Sequence, residues 1–201
     1  YDTVNMSIGQ GMVLINPLQL GVMASRLATG KRVIPRLLKN EPVKPQVSLD
    51  VDQDHLDFIR KAMWGVVDHG TAGGAKLPLD GIQMAGKTGT AQTHNLSAGE
   101  RGDYTSATWR LRDHSLFMAF APYDNPRYAA ATIVEHGGFG AAVAAPLIRD
   151  TLTYLYDKQK AFAALDTFEQ SIGGPLNERL ARKTGAWRSA NGLPPIQPER
   201  A

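Results

Sequence analysis

The amino-acid sequence predicts an α/β chain of the α+β type, with antiparallel strands packed by helices. Residues 116–121 and 128–134 are apolar runs of strand length, and Asp124-Asn125-Pro126 between them is turn chemistry, so they form an antiparallel hairpin. Both runs are continuously apolar rather than alternating, which means that helices cover both faces. Apolar residues at helical spacing occur before and after this hairpin, with no alternating strand–helix pattern of a parallel sheet.

The elements follow in order. Residues 1–15 are mixed and contain glycine, ending in Met12-Val13-Leu14-Ile15. Asn16-Pro17 reads as an N-cap with proline at the first helical position; Leu20, Met23, Ala24, Leu27 and Ala28 follow at helical spacing, and Gly30 closes the helix. Residues 33–51, with several prolines, are extended structure and loop. A second helix starts near Asp52, with Asp52, Asp54 and Asp57 at its positive end, Ile59, Ala62, Met63 and Val66 as its buried stripe, and Gly70 as its stop. After the glycine-rich link 70–74, residues 82–93 read as a strand. Residues 94–113 are polar and long for a hairpin loop, a length usually tied to function or mobility. Gly137-Gly138-Phe139-Gly140 precedes a long helix over 142–160, with Ile148, Leu152, Leu155 and Tyr156 facing inward and Pro146 in its first turn. Residues 161–182 hold one or two short helices, and the end, from Trp187 through the prolines, reads as a poorly ordered tail.

Composition excludes several functions. The 201 residues are 43% hydrophobic and 20% charged, enough for one packed domain or the larger part of one. The net charge of +3 is small and the basic residues are scattered, so nucleic acid is not an expected partner. The absence of cysteine rules out disulfides, thiol catalysis and thiolate metal sites. The five histidines lack paired metal spacing, so no metal is expected, and His114 and His136 are structural residues at strand ends. No apolar run reaches the roughly 18 residues that would span a membrane. The N-terminus resembles neither a signal peptide nor a methionine start, so the chain is expected to begin inside a longer protein.

The segment from Gly81 to Thr90 satisfies two motif patterns. Gly81, Gly86, Lys87 and Thr88 match the phosphate-binding G-x-x-x-x-G-K-[ST]. That pattern needs a buried strand before Gly81 and a helix opening at Lys87; residues 76–80 make a poor central strand, and no helical stripe follows Thr88. The second pattern is Lys87-Thr88-Gly89, a tripeptide of serine acyl-transfer enzymes. Three letters alone are weak, and the chain contains a control, Lys183-Thr184-Gly185, which reads as a solvated turn in an Arg-rich segment. By itself Lys87 would read as a surface lysine on a strand edge.

The surroundings of Lys87 change that reading. Ser7-Ile8-Gly9-Gln10-Gly11, Pro17-Leu18-Gln19-Leu20, Gly70-Thr71-Ala72, Ala85 through Gln92, and Phe120-Ala121-Pro122 together resemble the class B penicillin-binding proteins. Asp113-His114-Ser115-Leu116-Phe117, Tyr123-Asp124-Asn125-Pro126 and Val134-Glu135-His136-Gly137-Gly138 resemble the elongation-type subgroup, penicillin-binding protein 2. The resemblance runs over about residues 5–157 in the family's order.

It implies the penicillin-binding-protein/β-lactamase-like transpeptidase fold, of which residues 1–160 are the C-terminal portion and 161–201 an extension. It implies a D,D-transpeptidase that cross-links peptidoglycan through a serine acyl-enzyme, without a cofactor. Lys87 would add positive charge to the cleft, and the Thr88 and Thr90 hydroxyls would hold a substrate or β-lactam carboxylate. The Thr90 N–H would donate to the oxyanion, with Gly89 beside it among the substrate-binding residues, and Gly86 and Gly89 would keep the strand bare for a peptide to lie alongside. Tyr104, Trp109 and Arg110 either touch substrate or cover the core. No Ser-x-x-Lys occurs, and Ser-x-Asn occurs only as Ser189-Ala190-Asn191, on the wrong side of the motif, so the chain alone is expected to be inactive. Implied partners are peptidoglycan stem peptides, β-lactams, the missing N-terminal part of the domain, a SEDS glycosyltransferase and an elongation-complex scaffold. The implied location is the periplasmic face of the inner membrane, with an upstream anchor. The strand 128–136 is expected to have an open edge, where the family places an N-terminal strand. The same resemblance leaves open a non-catalytic β-lactam or peptidoglycan sensor, and, more remotely, a β-lactamase.

Overall fold

A computed structural model describes residues 2–93 and 109–194. The elements are α1 (Asp2–Ser7), α2 (Pro17–Thr29), α3 (Gln53–Asp68), β1 (Ala85–Ala91), β2 (His114–Ala121), β3 (Tyr128–Val134), α4 (Ala144–Tyr156), α5 (Lys158–Ser171) and α6 (Leu176–Ala190), with short 3-10 turns at Gly73–Ala75 and Trp109–Leu111.

The three strands form one antiparallel sheet in the order β1-β2-β3. Register pairs Lys87 with Met118 and Gly89 with Leu116 across β1 and β2, and Phe117 with Thr132 across β2 and β3. Because side chains alternate across a strand, β2 feeds two cores. Phe117, Ala119 and Ala121 meet Ala144, Ala145, Ile148 and Leu152 of α4 on one face. Met118 and Phe120 meet Leu20, Ala24 and Ala28 of α2 and Met63 of α3 on the other. This two-sided burial explains the unbroken apolar run, and each large side chain such as Phe117 contributes about 2–3 kcal/mol of hydrophobic stabilisation. β3 lies at the edge of the sheet with no strand beyond it among the described residues, as expected, and β1 is the opposite edge.

Local chemistry sets the helix limits. Asn16 and Gln19 form a reciprocal capping box at the start of α2, and Gly30, at φ 66°, ends it. Asp52 caps α3 by accepting from the Asp54 N–H. The buried face of α3 is Leu56, Met63 and Val67; Ala62 and Ile59 are exposed, contrary to expectation. Arg60 accounts for the rotation, because its Nε donates to the Leu27 carbonyl at 2.7 Å and ties α3 to α2 through a charged residue. The expected helix over 142–160 is broken at Asp157. There the Asp157 side chain accepts from the Lys160 N–H and starts α5, while Leu155 is exposed. The segment after 160 is more regular than expected: α5 and α6 are full helices, α6 runs through Trp187 to Ala190, and neither holds a buried residue. Among the described residues no helix is long and apolar enough to cross a membrane.

Candidate active-site wall

Lys87 is the third residue of β1 and exposed, whereas Met84, Ala85 and Gly86 just before it are buried. A phosphate-binding loop would open a helix at this lysine; a strand continues instead, so the nucleotide-binding reading fails on geometry. The Lys87 Nζ donates to the Thr88 carbonyl at 2.7 Å, and no carboxylate among the described residues pairs with it, leaving its charge available. The Thr88 hydroxyl lies 3.2 Å from that of Thr71, which follows the end of α3. The Thr90 carbonyl accepts from the Gln10 Nε2 at 2.6 Å.

These bonds show which way the strand faces. Peptide groups two residues apart on a strand point to the same side. The Thr88 and Thr90 carbonyls are both met by side chains rather than by β2, so they belong to the open edge of β1. Beside this edge is a recess of about 290 Å³ whose lining includes Ile8, Gln10, Met23, Lys87, Thr88 and Thr90. A separate recess of about 360 Å³ at Trp64, Lys76 and Gly81 lies before β1 and is lined by none of Lys87, Thr88, Gly89 and Thr90.

The glycines have a packing reason different from the one expected. A Cβ on Gly86 would sit 2.5 Å from the Phe117 Cζ, and one on Gly89 would sit 3.2 Å from the Leu116 Cβ. Gly86 is thus bare to receive a core ring, not a substrate. Gly140 approaches the same strand from the loop before α4, where a Cβ would lie 2.5 Å from the Gly89 carbonyl oxygen. Gln10, Thr71 and Gly140 all shape β1, and none was assigned a role from the sequence. Only the fold brings them there.

The histidines brace strand ends, as expected. The His136 N–H donates to the His114 Nδ1 at 3.0 Å, and the His136 Nδ1 lies 3.0 Å from the Arg112 carbonyl oxygen. Trp109 packs on the His136 ring at a centroid distance of 4.4 Å. Arg110 is exposed, and Tyr104 lies outside the described residues. The second tripeptide, Lys183-Thr184-Gly185, is an exposed stretch of α6 rather than a turn, far from any strand context.

A lysine–threonine–glycine edge strand beside a recess, backed by an antiparallel hairpin, invites comparison with known proteins. The family described as the penicillin binding protein transpeptidase domain matches residues 1–153. The chain belongs to the penicillin-binding protein transpeptidase family. It is 33% identical to the peptidoglycan D,D-transpeptidase MrdA of Salmonella typhimurium, covering 79% of this chain and 27% of that protein. It is 36% identical to MrdA of Acinetobacter baumannii, covering 73% of this chain and 24% of the relative. The chain therefore spans about a quarter of the length of these relatives. Among solved structures it resembles the penicillin-binding protein PBP2 of Helicobacter pylori in complex with MreC, with a TM-score of 0.64 and 30% identity over 77% of this chain and 27% of that one. It also resembles PBP2 of Pseudomonas aeruginosa in complex with WCK 5153, with a TM-score of 0.58 and 35% identity over 74% of this chain and 32% of that one. The transpeptidase fold and the likeness to penicillin-binding protein 2 expected from the sequence are thus shown.

Proposed function

We propose that this chain forms the Lys-Thr-Gly wall of a peptidoglycan D,D-transpeptidase of the elongation type. The observation that carries the reading is that Lys87, Thr88, Gly89 and Thr90 lie on the open edge of β1, beside a recess, with the Lys87 charge unpaired by any described carboxylate. Its support is the family membership and the likeness to MrdA and PBP2.

The chemistry divides between this wall and a serine that the 201 residues do not supply in a Ser-x-x-Lys sequence. That serine attacks the carbonyl of the D-Ala-D-Ala bond, D-Ala leaves, and the acyl group passes to the amine of a second stem peptide. Lys87 attracts the terminal carboxylate electrostatically, and the Thr88 and Thr90 hydroxyls donate to it. The Thr90 N–H stabilises the oxyanion that forms at the attacked carbonyl, and the Gly89 backbone lies against the bound peptide. No step requires a metal or cofactor. Without the serine the chain alone forms no acyl-enzyme. β-Lactams occupy the same wall; an imipenem acyl-enzyme has been solved for the Mycobacterium tuberculosis penicillin-binding protein A, which this chain resembles at 28% identity and a TM-score of 0.56. Residues 1–160 are the end of the transpeptidase domain and 161–201 an appendage to it. An upstream anchor holds the enzyme on the periplasmic face of the inner membrane, where it works with a SEDS glycosyltransferase and an elongation-complex scaffold; the H. pylori PBP2–MreC complex supports the scaffold.

The test is fluorescent-penicillin labelling of the full-length protein. Lys87→Ala should slow acylation on the order of a hundredfold, as loss of a charged group facing developing or bound negative charge does. Lys183→Ala should label as wild type. Equal labelling by both variants would refute the assignment.

A further inference from the structure

Gln10 is separated from Thr90 by 80 residues in sequence, yet its carboxamide is placed on the strand edge twice. Nε2 donates to the Thr90 carbonyl at 2.6 Å, and Oε1 accepts from the Gln92 N–H at 3.4 Å. The C=O of one residue and the N–H of the residue two further on are the pair that an added strand would satisfy on that edge. The Gln10 carboxamide therefore stands where the N–H and C=O of one residue of an added strand would stand. The local backbone delivers it there. Gly9 and Gly11 have φ of 75° and 72°, so the chain turns on both sides of Gln10 after α1 ends. The Gln10 N–H closes this turn on the Asn5 carbonyl at 2.9 Å.

We propose that Gln10 is a positioning residue for the transpeptidase wall: its carboxamide fixes the Thr90 carbonyl, and with it the Thr90 backbone torsions, and ends the ladder of backbone bonds available to a bound peptide. The proposal rests on β1 being the substrate-binding strand and goes beyond it, because the Lys-Thr-Gly motif says nothing about what holds its far end. With Gln10 in place, the open edge offers a peptide the Thr88 and Thr90 N–H groups and a Thr88 carbonyl held only by the exposed Lys87 side chain, while the Thr90 carbonyl is engaged by Gln10. Removing the amide frees the Thr90–Ala91 peptide plane, and the change in the Thr90 backbone torsions tilts the adjoining Gly89–Thr90 plane, which misaims the Thr90 N–H at the attacked carbonyl. The consequence is a slower chemical step rather than weaker encounter.

The experiment measures acylation of the full-length protein by a fluorescent penicillin, resolved into the initial Kd and the acylation rate constant, with thermal unfolding alongside. Gln10→Ala should lower the rate constant roughly tenfold while Kd changes by less than about twofold. Gln10→Glu keeps an acceptor for the Gln92 N–H but loses the donor to Thr90 when ionised. Its deficit at about pH 7.5 should match that of Gln10→Ala and shrink, relative to wild type, as pH falls toward about 5 and the carboxyl regains a proton to donate. A wild-type rate constant in Gln10→Ala, or a Gln10→Glu deficit that is the same at every pH, overturns the proposal. If Gln10→Ala does not fold, the pH profile of Gln10→Glu decides alone. A wild-type protein that penicillin fails to acylate overturns the transpeptidase reading itself, which separates the two failures.

Discussion

Replacing Gly140 with alanine should destabilise the protein more than any other glycine-to-alanine change in the loop before α4. The added Cβ would lie 2.4 Å from the Leu116 carbonyl oxygen, 2.5 Å from that of Gly89 and 3.0 Å from the Gly89 nitrogen. All three are main-chain atoms of the paired residues Gly89 and Leu116, so no side-chain rotation relieves the contact. Ordinary contact requires about 3.4 Å or more, so the loop must retreat by roughly 1 Å. Retreat strains bonds that hold it: the Gly138 N–H to the Asp113 carbonyl at 2.9 Å, and the Ser115 hydroxyl to the Phe139 carbonyl at 3.1 Å. Overpacking costs about 1–3 kcal/mol, and each weakened bond adds about 1 kcal/mol. A loss of about 3–5 kcal/mol is expected, corresponding at this chain length to a Tm fall of roughly 10–15 °C. Thermal and urea unfolding measure it, with Gly74→Ala as control, since nothing lies within 4 Å of a Cβ built at Gly74. A Gly140→Ala protein within about 1 kcal/mol of wild type would refute the close approach of this loop to β1.

Two further outcomes follow from the same physics. Gly185 sits inside α6 with open space around it, so Gly185→Ala should raise helix content and stabilise α6 by about 1 kcal/mol, read by circular dichroism, without altering penicillin labelling. The Asp68 carboxyl is held below its ordinary value of 3.8, first by its bond to Lys76 and then by that to His69. Its folded-state value is depressed, so its contribution is present above the unfolded carboxylate value and is lost as pH falls from about 5 through the folded value. Asp68→Asn should lower stability slightly near pH 7, where the contribution is fully present, and flatten the stability–pH curve in that acidic range, so that the two proteins converge in acid; an unchanged acid slope would count against the pair.

Much of the fold was legible because local chemistry and burial agreed. The hairpin β2–β3 announced itself by two apolar runs and a turn, and α2 by Asn16, Pro17, Gln19 and Gly30. The inward face of α3 was misread because Arg60 sits on it, and a periodicity argument assigns arginine outward; its bond to the Leu27 carbonyl is a tertiary fact. The break at Asp157 was missed because an aspartate in a helical pattern reads equally as a polar-face residue and as a cap. The motif strand at Lys87 was legible from its neighbours in sequence, and the structure forms it as β1, at the edge of the sheet opposite β3. Gln10 and Gly140 were not, because each acts on β1 from a distant segment through a single contact that leaves no periodic or compositional trace.

The central claim is that this chain is one wall of a penicillin-reactive site whose serine lies outside it. Intact mass after incubation with a penicillin tests it most directly, on the 201-residue chain and on the full-length protein. The account predicts no adduct on the chain and one covalent adduct on the full-length protein, placed on the serine of a Ser-x-x-Lys sequence. An adduct on one of the chain's own serines, or none on the full-length protein, would contradict it.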